Sequence, residues 1–108
     1  MKTLVILTNI NNVGANKHTK LNVFGVSTSG YWKLSHNDSK EMILVVKDGN
    51  KYTAYDCTII NKTQRDDERY EIEFTWKSNT VELDSNFSSK FGQHPSQWHD
   101  VNKCEIFC

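Results

Sequence analysis

With 108 residues, 37% of them hydrophobic and 24% charged, the chain is long enough to bury a modest core of its own and too apolar to be disordered. Its 13 lysines and arginines balance 13 aspartates and glutamates, which argues against a protein that coats nucleic acid but leaves room for a pocket that reads one base or one nucleotide. No apolar run approaches the roughly 20 residues of a membrane span, and 3 cysteines, an odd number, suit a reducing compartment better than a secreted disulfide framework.

The expectation from these facts is a single β-rich domain over residues 1–108, cytoplasmic and without a membrane partner. Asn and Lys are abundant and there is 1 proline, a bias that suits an AT-rich genome, phages included. The opening Met1–Ile10 has only a short apolar core, and Asn9, Asn11 and Asn12 stand where small residues would mark a leader's cleavage site. It reads as the first strand, Thr3–Ile10. Asn11 to Lys20 is a polar loop. Leu21–Val26 reads as a strand, although Phe24 breaks its alternation, and Ser27-Thr28-Ser29-Gly30 as a flexible turn. Tyr31-Trp32-Lys33-Leu34 is a short strand in which neighbours point to opposite faces, so one ring enters the core and the other does not. Ser35–Glu41 is polar and fits a single helical turn capped by Asn37 or Asp38.

Met42–Ile60 is the centre of the chain. A continuously apolar arm, expected to be buried on both faces, runs into Asp48-Gly49, a hairpin signal of the type I′ kind, because that turn needs φ > 0 at both central residues. The returning arm alternates, with Tyr55, Cys57 and Ile59 on one face. Asn61–Glu68 reads as a hydrophilic loop. Tyr70–Lys77 has the clearest alternation: Tyr70, Ile72, Phe74 and Trp76 on one face, Glu71, Glu73, Thr75 and Lys77 on the other. A one-residue slip would put the four apolar side chains in water, so the register is set. Thr80–Leu83 is a short strand. Asp84 or Ser85 fits the cap of a helical turn over Asn86–Phe91, Pro95–His99 a second turn with proline in first position, and Lys103–Cys108 a final strand. Six or seven short strands with one or two helical turns indicate an all-β or β-dominated small barrel or sandwich; we take the barrel.

Gly30-Tyr31-Trp32-Lys33-Leu34-Ser35 is a ring-rich segment followed by an apolar strand, a turn at Lys47-Asp48-Gly49, a tyrosine-rich strand Lys51–Tyr55, and a strand ending at Phe74 after a polar loop. The pattern resembles small PUA-like or EVE-like β-barrel domains of bacterial and phage defence-related proteins. The resemblance spans residues 3–10 loosely and 30–77 better, as a pattern of strands and rings without a fixed motif. It implies a domain that binds nucleic acid, often one modified or flipped base, in an aromatic pocket. The balanced charge departs from that group.

Three tryptophans carry the candidate chemistry. A base can stack on an indole for about 1–3 kcal/mol, while in a small barrel such rings also simply fill the core. Trp76 belongs to the core, sharing a face with Ile72 and Phe74. Trp32 fits either role, and Trp98, in a polar and loop-like stretch, fits a pocket wall or an interface. Tyr31, Ser29 and His99 could supply polar contacts to a base edge.

His94, His99, Cys104 and Cys108 have zinc-ligand chemistry. In an extended tail, however, Cys104 and Cys108 lie about 13 Å apart, too far to share a zinc ion or a disulfide. A Cys57 pairing with either tail cysteine stays sterically open, and a helical tail would rescue the metal site. Glu71 and Glu73, about 6.6 Å apart along one strand face, could share acid–base work but suit a solvated face better. Arg65-Asp66-Asp67-Glu68-Arg69 reads as a surface loop with weak local ion pairs. His18 and His36 stand alone. No nucleophile elbow, phosphate-cradling glycine loop or HExxH helix occurs.

The leading expectation is therefore a non-catalytic module that holds a nucleic-acid base or nucleotide between Trp32 and Trp98, with Tyr31, Ser29 and His99 beside them and neither metal nor cofactor. The alternative is a small phage-type accessory, or counter-defence, protein that binds and inhibits a host protein through strand edges and the Asp66-Asp67-Glu68 loop. A hydrolase or nuclease built on Glu71 and Glu73 comes third.

Overall fold

A computed structural model describes residues 3–34, 40–84 and 96–108. The expected helical turns near Asn37 and over Asn86–Phe91 fall outside them. The strands are β1 (Thr3–Asn9), β2 (Thr19–Lys20), β3 (Ser27–Trp32), β4 (Glu41–Asp48), β5 (Lys51–Gln64), β6 (Tyr70–Trp76), β7 (Val81–Leu83) and β8 (Ser96–His99). A 3-10 turn, Ile10–Asn12, follows β1, and one α-helical turn, α1 (Cys104–Phe107), stands near the end. The strands form one sheet in the order β2-β3-β6-β5-β4-β1-β8, with β7 added against β5. β1 and β4 run parallel, and the other pairings are antiparallel. The sheet is β-dominated and curls into a half-barrel.

β5 is its spine. The first half pairs with β4 and β7, the second half with β6. Ile59 faces Phe74 and Asn61 faces Glu73, so Ile60 is an extra residue and stands 54% exposed. Such a bulge bends its strand and shifts its alternation by one. The bend helps bring β8 round towards β3, where Ser96 Oγ donates to Lys33 O at 3.3 Å.

The apolar arm of the hairpin is buried on both faces, as expected. Leu4, Ile6, Met42, Leu44, Val46, Cys57, Ile59, Ile72 and Phe74 form an inner cluster, against which Trp32, Tyr55, Trp76 and Trp98 pack. Val5, Ile43, Val45 and Ala54 form an outer cluster, covered by Tyr52, Leu83, Val101, Ile106 and Phe107. The hairpin turn differs by one residue from its sequence signal. Asp48 pairs with Lys51, so Gly49 and Asn50 are the central residues. Gly49 has φ +60 and Asn50 is not among the positive-φ residues, the pattern of a II′ turn rather than I′.

Five further expectations are corrected. Residues 21–26 are not a strand, because the Asn22 side chain takes the Phe24 N–H at 3.1 Å and diverts the backbone from a ladder. Ser27-Thr28-Ser29-Gly30 is strand, not turn. Its buried hydroxyls serve two indoles: Trp76 Nε1 donates to Ser27 Oγ at 3.1 Å and Trp32 Nε1 to Ser29 Oγ at 2.9 Å. Asn61–Gln64 continues β5, since pairing with β6 overrides its polar composition. Ser96–His99 is an edge strand on β1 rather than a helical turn.

The tail is the fifth. Instead of a strand, residues 104–107 make a helical turn that brings the Cα atoms of Cys104 and Cys108 to 4.6 Å, and the two cysteines are disulfide-bonded. The extended geometry that forbade this bond is absent. Cys57 stays free and buried.

Candidate functional site

The curl collects rings and cations at one end of the sheet. β3 delivers Tyr31 and Trp32, the β5–β6 hairpin delivers Lys62, Arg65, Arg69 and Tyr70, and β8 delivers Trp98. The Arg65 guanidinium lies over the Tyr31 ring, 3.6 Å from its centroid, and Arg69 Nη1 donates to Tyr31 O at 3.3 Å. Lys62 Nζ stands 5.4 Å from the centroid of Trp98. This contact depends on the bulge at Ile60, which puts Lys62 opposite Ile72 on the inner face. His18 meets Trp32 edge-on, with centroids 5.8 Å apart. A cation over a ring is worth about 0.5–1 kcal/mol when exposed. A guanidinium laid flat on a phenol ring keeps its in-plane donors turned outward, the geometry that suits a phosphate.

The hairpin tip is shaped rather than loose. Arg65 N–H donates to Arg69 O at 2.7 Å and Glu68 N–H to Arg65 O at 3.1 Å, with Glu68 at φ 66. Arg65 and Asp67 are 3.9 Å apart at 44% and 49% exposure, an ion pair of little worth. Hence Arg65 is held by Tyr31 more than by the neighbouring acid.

The five residues expected to form a pocket do not converge. Ser29, opposite Ile72, is wholly buried, and its hydroxyl contacts Thr19 Oγ1 at 2.9 Å as well as Trp32 Nε1. It orients the indole from behind instead of facing a ligand. Trp32 and Trp98 are both half-buried over the inner cluster. Tyr31 is 39% exposed and, next to Trp32 in the strand, takes the other face. His99 pairs with Thr3 while Trp98 pairs with Leu4, so these two also point to opposite faces. The arginines and Lys62 were missed. Their signal was a polar run with an arginine at each end, which has the composition of any surface loop.

His99 and Thr3 share the outer face with a second feature. A cleft of about 370 Å³ is lined by Thr3, Glu41, Asp100, Val101, Asn102 and Lys103. Lys103 Nζ lies 2.7 Å from Glu41 Oε2 and 2.6 Å from Asp56 Oδ1, and it also donates to Cys57 O. Its side chain is only 15% exposed and that of Asp56 12%. Burial pushes the Cys57 thiol up to about 12, with the Lys103 charge opposing and Asp56 adding to the rise. Burial, and then Cys57, also raise the Tyr55 phenol. A protonated, buried thiol is a poor nucleophile. Glu71 and Glu73 lie half-buried on the outer face of β6, opposite Thr63 and Asn61. Among the described residues no group of three or more His, Cys, Asp or Glu could hold a metal ion.

No family model, curated protein or solved structure matches the chain.

Proposed function

We propose that this protein is a non-catalytic binding module for a nucleic-acid base or nucleotide, held at the end of the sheet where Arg65 and Arg69 meet Tyr31 on one face and Lys62 meets Trp98 on the other. The observation that carries the reading is the guanidinium of Arg65 stacked 3.6 Å over Tyr31, with Lys62 over Trp98. Rings offer π-faces to bases without regard to sequence, and the adjoining cations offer charge to phosphates. The balanced net charge limits this to a local contact of a few nucleotides. The pattern-level resemblance to PUA-like domains points the same way. The site differs from the pocket expected at the outset: Ser29 acts behind Trp32, and His99 stands apart.

Tryptophan fluorescence titrated with short single-stranded DNA, RNA and free nucleotides tests it. Arg65→Ala should weaken binding about tenfold and flatten the salt dependence by about 0.7 in log–log slope for each phosphate no longer neutralised. No response to any ligand removes the reading.

A second reading, inhibition of a host protein, is favoured by the exposed and ordered tip at Asp66, Asp67 and Glu68. One stoichiometric protein recovered from host lysate supports it, and co-purified oligonucleotide supports the first. Both readings place the module in the cytosol, as the odd cysteine count suggests. A Cys104–Cys108 bond found intact in protein taken from cells with thiols blocked would move it to an oxidising compartment.

A further inference from the structure

The helical turn α1 is covalently closed, and the nucleotide reading makes no use of it. Cys104 and Cys108 are bonded across the turn, their Cα atoms 4.6 Å apart, and both residues are exposed. Between them in the chain stand Ile106 and Phe107, half-buried against the outer cluster of Val5, Ile43, Val45 and Ala54. The bond therefore encloses the same two side chains that reach down to the sheet. Cys57, the remaining cysteine, is free and wholly buried in the inner cluster. The tail pair is thus the one that a dissolved thiol can reach.

α1 is anchored at its front and not at its back. At the front, Lys103 Nζ holds Glu41 Oε2 at 2.7 Å and Asp56 Oδ1 at 2.6 Å and donates to the Cys57 carbonyl. Behind Lys103 the amides bond back into the turn. Ile106 and Phe107 donate to Lys103 O at 3.0 and 2.9 Å, and Cys108 to Cys104 O at 3.1 Å. The cleft of about 370 Å³ is lined by Thr3 and Glu41 of the sheet and by residues 100–103 of the tail, so this stretch is not packed flush on the strands. Among the described residues no helix is long and apolar enough to cross a membrane, and α1 has only 4 residues. A turn that short has no stability of its own.

We infer that the Cys104–Cys108 pair is a redox-controlled latch. Oxidised, it holds Ile106 and Phe107 over the outer cluster; reduced by a dithiol, it frees residues 104–108 to swing away about Lys103. One thiolate of the dithiol attacks Sγ of either cysteine and breaks the S–S bond. Its second thiolate then displaces that sulfur and closes the reductant's own disulfide. Two electrons and two protons pass to the protein, which is left with two thiols. Closing a ring of about five residues favours the ordered turn by about thirtyfold through chain entropy, and reduction removes that bias. Lys103 keeps its carboxylates in either state, so the opening stops there. Ile43 and Val45 are wholly buried when the latch is closed. Opening uncovers part of an apolar face, while Tyr52 and Leu83 stay in place on their strands.

The test is amide exchange of the full chain followed by NMR, oxidised and in dithiothreitol, beside a variant carrying Cys104→Ser and Cys108→Ser. Reduction should speed exchange at Phe107 and Cys108 about thirtyfold and leave β1, β4 and β5 unchanged within about twofold. It should also raise the fluorescence of added anilinonaphthalene sulfonate, which reports exposed apolar surface. The double variant should match the reduced protein whether or not dithiothreitol is present. Oxidised glutathione should re-form the bond in the reduced wild type and restore slow exchange. Exchange at Phe107 that reduction leaves unchanged overturns the inference. So does acceleration throughout β4 and β5, which would make the bond a staple of the whole fold. A reduced protein that oxidised glutathione fails to close overturns it as well.

Discussion

The two faces of the central hairpin are sealed by different means. Over the inner cluster lie Trp32, Tyr55, Trp76 and Trp98, all carried on strands of the sheet itself. Over the outer cluster lie Tyr52 and Leu83 from β5 and β7, together with Val101, Ile106 and Phe107 from a tail that joins no strand. The first cover cannot leave without uncurling the sheet. The tail part of the second is held by Lys103 on Glu41, Asp56 and the Cys57 carbonyl, by the Thr3 hydroxyl on Val101 O, and by the Cys104–Cys108 bond that closes its last turn. A helical turn of four residues has no stability of its own, so the tail depends on those clamps. The inner cover is therefore part of the global fold, and the tail over the outer face is a region that can open by itself.

That contrast can be broken most forcefully from the inner side. Phe74 is wholly buried, and Phe74→Ala should cost about 3–5 kcal/mol in urea unfolding, with tryptophan emission and backbone signal lost together. Next comes the tail. Lys103→Met leaves the nearly buried Asp56 carboxylate without its closest cation and should cost about 3 kcal/mol. It should speed amide exchange in residues 101–108 well before the inner strands respond. Equal exchange on both faces would mean that the two covers act as one.

A smaller loss, about 2 kcal/mol, is expected for Ser29→Ala, which strips the Trp32 indole N–H and Thr19 of their buried partner. The smallest effect is set by pH. Cys57 titrates near 9.0 when unfolded and is pushed up to about 12 in the fold. The folded state therefore keeps a proton that the unfolded state gives up. Its contribution is complete below pH 9, begins to fall there, and is lost as pH rises through the folded value. The unfolding free energy of the wild type in urea should drop by about 1 kcal/mol between pH 9 and 10, and Cys57→Ala should show less of this loss.

The strand core was legible because periodicity reports it directly. Tyr70, Ile72, Phe74 and Trp76 alternate with Glu71, Glu73 and Thr75, and the structure keeps that division. Met42–Val46, apolar without a break, is buried on both faces. What escaped was whatever depends on partners far along the chain. Ser27 and Ser29 have turn-like composition, yet they are strand because two indoles need their hydroxyls. Asn61–Gln64 is polar, yet β6 is there to pair with it. The tail reads as extended from its residue types, but Ile106 and Phe107 reach the outer cluster only from a helical turn. The candidate site shows the same limit. Its rings were visible as residues, whereas the cations over them arrive through a bulge and a hairpin tip that local patterns do not encode.

The reading of the ring-and-cation end is tested most directly by titrating tryptophan emission with a short single-stranded oligonucleotide, in the wild type and in Arg65→Glu. The account predicts a saturable change that weakens with salt and is at least tenfold weaker in Arg65→Glu, while the two proteins unfold at the same urea concentration. A flat titration for the wild type, or binding of equal strength in the charge-reversed protein, would contradict it.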